Sequence, residues 1–115
     1  MTITEAYSNF SGDYEGVLNR LVKEERIIKY VRKFRDCSEL DTMRNAVANN
    51  DYDIVFRETH NLKGVSMNLG FTPLQMACSQ LCEMVRHGKP EGDMAPAFSE
   101  IEASYKDVMD SIRDI

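Results

Sequence analysis

Apolar residues in this chain recur at intervals of three and four, and no stretch of alternating β-branched residues competes with them, so the pattern fits helices and no strands. The expected fold class is all-α. Tyr14, Val17, Leu18 and Leu21 follow the polar start Ser11-Gly12-Asp13, and Ile27, Ile28, Val31 and Phe34 recur from about Glu24 to Asp36. Ser38-Glu39-Leu40-Asp41 reads as an N-cap with an acidic first turn, opening a helix with Leu40, Met43 and Val47 inward. Asp51 then caps a longer helix that Gly70 ends as a C′ residue.

Thr72, Pro73 and Gln75 read as a capping box around a proline at the first helical position, with Leu74, Ala77 or Cys78, Leu81 and Val85 forming the inward stripe. That helix ends at Arg86-His87-Gly88, where His87 suits the negative end of the helix dipole and reads as a terminus residue. From Asp93 a last helix carries Phe98, Ile101, Tyr105, Val108, Ile112 and Ile115, with Pro96 tolerated in its first turn. Helices starting near residues 38, 52, 72 and 93 and joined by short loops are expected to form an antiparallel four-helix bundle, with one or two additional N-terminal helices over an end or a groove. Residues 1–10 are a candidate for disorder.

At 115 residues the chain is expected to be one domain, 1–115, burying about 65% of its unfolded surface around a single core. A formal net charge of −5 argues against nucleic acid or an anionic membrane as the main partner. The segment Met1–Phe10 has no basic and apolar leader pattern, and no apolar run reaches about 18 residues, which leads to the expectation of a cytoplasmic protein. Three cysteines are too few for a disulfide framework, and no other ligands fall at zinc spacing from Cys78 and Cys82, so these read as buried small hydrophobes and no metal site is expected. Lys23, Arg26, Lys29, Arg32, Lys33 and Arg35 form a basic run that suits either a solvated face or attraction of an acidic partner.

The helix from Tyr52 to Gly70 carries the chemistry. With about 100° per residue, Ile54, Val55, Leu62, Val65 and Leu69 gather on one side as the expected core face, and His60 points away from it into solvent. Lys63 lies one turn on, where a cation favours an anionic adduct on the ring. Gly64 costs the helix about 1 kcal/mol relative to alanine and has no local reason to be there, except that a missing side chain at i+4 leaves the imidazole open to another molecule. Phe56 and Met67 would set apolar surface beside the ring.

The run His60-Asn61-Leu62-Lys63-Gly64-Val65-Ser66-Met67-Asn68-Leu69-Gly70, read as His-x-Leu-Lys-Gly-x-Ser-x-x-Leu-Gly, resembles the signature of histidine-containing phosphotransfer (HPt) domains of bacterial multistep phosphorelays. The resemblance extends through Gly12-Asp13-Tyr14, Asn50-Asp51-Tyr52 and Arg86-His87-Gly88, most of the chain. It implies that His60 accepts a phosphoryl group from the phospho-aspartate of one response-regulator receiver domain and relays it to another, with Lys63 stabilising phosphoryl charge. It also implies a partner-binding surface of Phe56, Arg57, Asn61, Gly64, Met67 and Asn68, with receiver domains and a hybrid sensor kinase as partners. No intrinsic cofactor is expected: the receiver would bring Mg²⁺, and the chain lacks a phosphate-binding glycine loop or an acidic set for Mg²⁺ and ATP. Neither kinase nor phosphatase activity is expected of the domain alone, and it is expected to be a monomer.

Two other readings use the same residues. In the dimerisation and phosphoacceptor domain of histidine kinases an acidic residue usually follows the histidine and a proline comes soon after, whereas here Asn61 follows and the next proline is Pro73. A chemotaxis-kinase phosphoacceptor domain fits the pattern better, but these residues include no ATPase region. A non-catalytic helical adaptor would leave His60 and Lys63 as ordinary surface residues.

Overall fold

The computed structural model describes residues 1–115, and its regular elements are all helices: α1 (Ile3–Asn9), α2 (Tyr14–Leu21), α3 (Glu24–Cys37), α4 (Asp41–Ala48), α5 (Tyr52–Asn68), α6 (Thr72–Val85) and α7 (Ala95–Ile112). α5 packs on α4 and most extensively on α6, α6 packs on α7, α7 touches α4, and all seven helices contribute residues to one core.

Within the first ten residues, a candidate for disorder in the sequence, Ile3–Asn9 form a helix. Thr2 and Glu5 form a reciprocal capping box, with the Thr2 hydroxyl accepting from the Glu5 amide at 3.2 Å and the Glu5 carboxylate accepting from the Thr2 amide at 3.0 Å. This starts α1, and Ile3, Ala6, Tyr7 and Phe10 are buried. Burial of that face supplies what a seven-residue helix lacks on its own.

α1 and α2 close the end of the molecule at which α5 and α7 finish. The Tyr7 hydroxyl donates to the Leu69 carbonyl at 2.6 Å, the Asp13 amide donates to the Gly70 carbonyl at 2.8 Å, and the Asn9 amide group donates to the Ser111 hydroxyl at 2.7 Å. α3 packs on α2 and α7, where Arg32 and Arg35 donate to the carbonyls of Ile115 and Arg113. At the same end Phe71 is fully buried, with Phe10 and Phe34 edge-on to it at 5.3 and 5.0 Å between ring centroids.

Two helix starts differ from the reading of their sequence. At α4 the N-cap is Leu40, not Ser38, and has no side-chain cap; the carboxylate of Glu39 just before it accepts from the amide and hydroxyl of Thr42 at 3.1 and 3.0 Å. At α6 the N-cap is Phe71, Thr72 is already helical, and there is no side-chain cap, so the Thr72–Gln75 box does not form. The close of α5 decides this. Gly70 takes φ +70° and the Phe71 amide donates to the Ser66 carbonyl at 2.8 Å, a Schellman closure that seats Phe71 in the aromatic cluster and makes it the first residue of the next turn.

Candidate functional site

Burial along α5 follows Val55, Thr59 and Ser66, a stripe roughly 120° round from His60 on a helical wheel. It is shifted from the expected core face, and Val65 is the residue that shows the error: it is 41% exposed. The physical reason is that α5 leans on α6 while α3 stands off. Val65, with Glu58, Asn61, Leu62 and Asn68, therefore lines a groove of about 600 Å³ whose far wall is Tyr30, Lys33, Phe34 and Cys37 of α3. Thr59 enters the core because its hydroxyl donates back to the Val55 carbonyl at 2.7 Å, whereas the buried Ser66 hydroxyl has no partner.

The shift matters because it turns the flank carrying Phe56 and Lys63 toward α6. His60 is exposed near the middle of α5, with the Phe56 ring stacked on its imidazole at 5.8 Å between centroids and 19° between planes. A β-carbon added at Gly64 would meet no atom within 4 Å, so the ring's C-terminal side is open. Met67 is 46% exposed and Arg57 is exposed. Lys63 is half-buried and belongs to none of the ion pairs of the molecule.

The expected partner-binding residues do not all share one face. Asn61 and Asn68 are exposed but line the α3 groove, on the other flank from Phe56 and Lys63. The carbonyls of Met67 and Asn68 accept from the Arg20 guanidinium at 2.9 and 3.1 Å, so α2 caps the free end of α5.

Across the other flank, α6 and its C-cap contribute two residues absent from the sequence reading of the site. The Arg86 guanidinium lies over the Phe56 ring, 6.0 Å from its centroid, and donates through Nε to both oxygens of Glu83 at 3.0 and 3.1 Å. The hydrogen bond and charge of Arg86 hold the Glu83 carboxyl below the usual carboxylate value, and the charges of Lys63 and His87 add to this. The signal in the sequence was Glu83-x-x-Arg86, a pair at i,i+3 on the exposed side of the last turn of α6. Nothing local ties it to a histidine on the preceding helix.

An unprotonated imidazole nitrogen held at a helix surface is a nucleophile that an outside phosphoryl donor can reach in line, and Lys63 and Arg86 supply positive charge nearby. No three His, Cys, Asp or Glu side chains gather in a cluster that could hold a metal ion. Cys78 and Cys82 are buried on α6, and burial pushes the Cys78 thiol up to about 12. No helix is long and apolar enough to cross a membrane.

No curated protein and no solved structure matches the chain. A family model for the Hpt domain matches residues 32–114, from within α3 to just past the end of α7, the span that carries His60 and the whole of α4, α5, α6 and α7. The chain therefore belongs to the Hpt domain family, whose part in phosphorelays is histidine phosphotransfer.

Proposed function

We propose that His60 is the phosphoacceptor, taking a phosphoryl group from the phospho-aspartate of one receiver domain and passing it to the aspartate of another. The observation that carries this reading is an exposed imidazole with open space at Gly64 and a cation, Lys63, one turn along. In the forward step the unprotonated imidazole nitrogen attacks phosphorus, the P–O bond of the acyl phosphate breaks, a P–N bond forms, and the aspartate leaves as a carboxylate. The reverse step on a second receiver regenerates both groups. The receiver supplies Mg²⁺, and Lys63 stabilises charge on the phosphoryl oxygens.

α4 to α7 are read as the antiparallel four-helix bundle of a single domain, 1–115, with α1 to α3 as its end closure and side wall. Their mutual packing around one core supports this, and supports a monomer, because kinase dimerisation domains need two chains to complete such a bundle. The partners, receiver domains and a hybrid sensor kinase, would place this function in the cytoplasm. Light scattering at micromolar concentration should give the mass of one chain; a stable dimer would favour the kinase-type alternative.

The experiment that tests the acceptor is a mixing assay with a receiver domain carrying labelled phospho-aspartate, run without ATP. Label should move onto the wild-type protein as an acid-labile species. His60→Gln should take none while keeping its helicity, because an exposed side chain carries little packing. Lys63→Ala should take label more slowly but not fail. Label on the His60→Gln protein would refute the assignment.

A further inference from the structure

The two cations beside His60 are not placed alike. Arg86 is bound through its guanidinium to Glu83 and stacked over the ring that itself stacks on the imidazole, so it is one aromatic ring removed from the acceptor. Lys63, on the same flank of α5, makes no ion pair. Glu83 is thus a fixed negative charge at the border of a site that must receive a dianionic phosphoryl group.

We propose that Glu83 is the resting counter-anion of the phosphotransfer site, holding Arg86 and attracting Lys63 until a phosphoryl group on His60 takes over both cations. This inference rests on His60 being the acceptor. The position of Glu83 fits it. The ion pair lies at the surface, where exchange of partners costs little, because an exposed pair is worth little to the fold. The Phe56 ring offers the guanidinium an apolar face along which to move toward the imidazole. The charge of Lys63, across α5 and α6, adds to that of Arg86 in holding the Glu83 carboxyl below the usual carboxylate value. In this arrangement Glu83 lowers the readiness of His60 to be loaded and raises its readiness to give the group up. It is a positioning residue that sets the phosphoryl balance of the relay without touching the reacting atoms.

Phosphoramidate separates this effect from receiver docking. In its zwitterionic form it transfers its phosphoryl group to the neutral imidazole: its P–N bond breaks, ammonia leaves, and a new P–N bond forms on His60 with no further proton needed. Loading would be followed by phosphorus NMR on the whole protein, with circular dichroism on each variant to verify the fold. Glu83→Gln should load about five-fold faster than wild type at low salt, Arg86→Gln about three-fold slower, and Glu83→Asp at the wild-type rate. The gain in Glu83→Gln should shrink in about 1 M salt, where the screening length is about 3 Å. Asp110→Asn removes one carboxylate from the surface pairs with Lys106 and Arg113 and should leave the rate unchanged. A Glu83→Gln rate equal to or below wild type, with His60→Gln inert, would overturn the role of Glu83 and leave the acceptor in place. An equal acceleration in Asp110→Asn would reduce the effect to net charge and overturn it as well. Loading of His60→Gln would remove the acceptor on which the inference stands.

Discussion

Gly64 and Gly70 stand less than two turns apart at the end of one helix, and their surroundings are opposite. Around Gly64 a β-carbon would meet nothing within 4 Å. At Gly70 the backbone has φ +70°, and a β-carbon would overlap the Val17 side chain and come within 2.7 Å of the Asp13 carbonyl oxygen. The neighbours repeat the contrast. The residues following Gly70 enter a cluster of Tyr7, Phe10, Phe34 and Phe71, and the Leu69 carbonyl is held by the Tyr7 hydroxyl. The residues around Gly64 include the exposed His60 and the solvent-facing Met67. One glycine is needed by the fold, and the other removes bulk where the fold needs nothing. α5 is thus pinned at its C-terminal end, which lets its middle carry a site with few contacts of its own.

The largest effect on stability is expected at the pinned end. Phe71→Ala would leave a cavity between Phe10, Phe34 and Tyr7 and should cost about 3–5 kcal/mol. Denaturant unfolding of the variant measures it, and a loss near 1 kcal/mol would mean that α1 and α3 can collapse onto the vacancy. Gly70→Ala comes next. The left-handed backbone alone costs an alanine about 1–2 kcal/mol, and the approach of Val17 and Asp13 adds to it. Its phosphotransfer per folded molecule should stay close to wild type, because the damage lies at the helix end. A Gly70→Ala protein as stable as wild type would erase the contrast between the two glycines.

The sequence made the helices, the exposure of His60 and the open position at Gly64 legible, because each depends on spacing within one helix. What it hid depends on how helices sit against one another. The tilt of α5 onto α6 placed Val65 on a groove wall and drew Thr59 and Ser66 inward, which no wheel drawn on α5 alone can decide. Glu83 and Arg86 reach the site for the same reason, by way of Phe56. α1 was missed for a different one: Thr2-x-x-Glu5 is a capping box in plain sight, but its helix is too short for periodicity to declare it. At Thr72 a capping motif was present and went unused, since the Schellman turn at Gly70 had already made Phe71 the N-cap and Thr72 the first residue of the next helix.

The smallest expected change in stability, and the one that separates the two glycines most sharply, is at Gly64. Alanine there relieves the conformational cost of glycine in a helix interior and meets open space, so Gly64→Ala should stabilise the protein by up to about 1 kcal/mol. Gly64→Gln should also leave the melting temperature equal or higher, because its side chain extends into solvent. Transfer from a receiver should nonetheless fall steeply in Gly64→Gln, since a glutamine one turn from the imidazole stands where the donor must approach. Loading by phosphoramidate, a donor of a few atoms, should fall much less. That difference between a large donor and a small one is what an open approach predicts and what a packing role cannot produce. A Gly64→Gln protein that melts lower than wild type, or that loses both reactions equally, would show that the glycine serves the helix itself and that the middle of α5 and its C-terminal end are less different than their contacts imply.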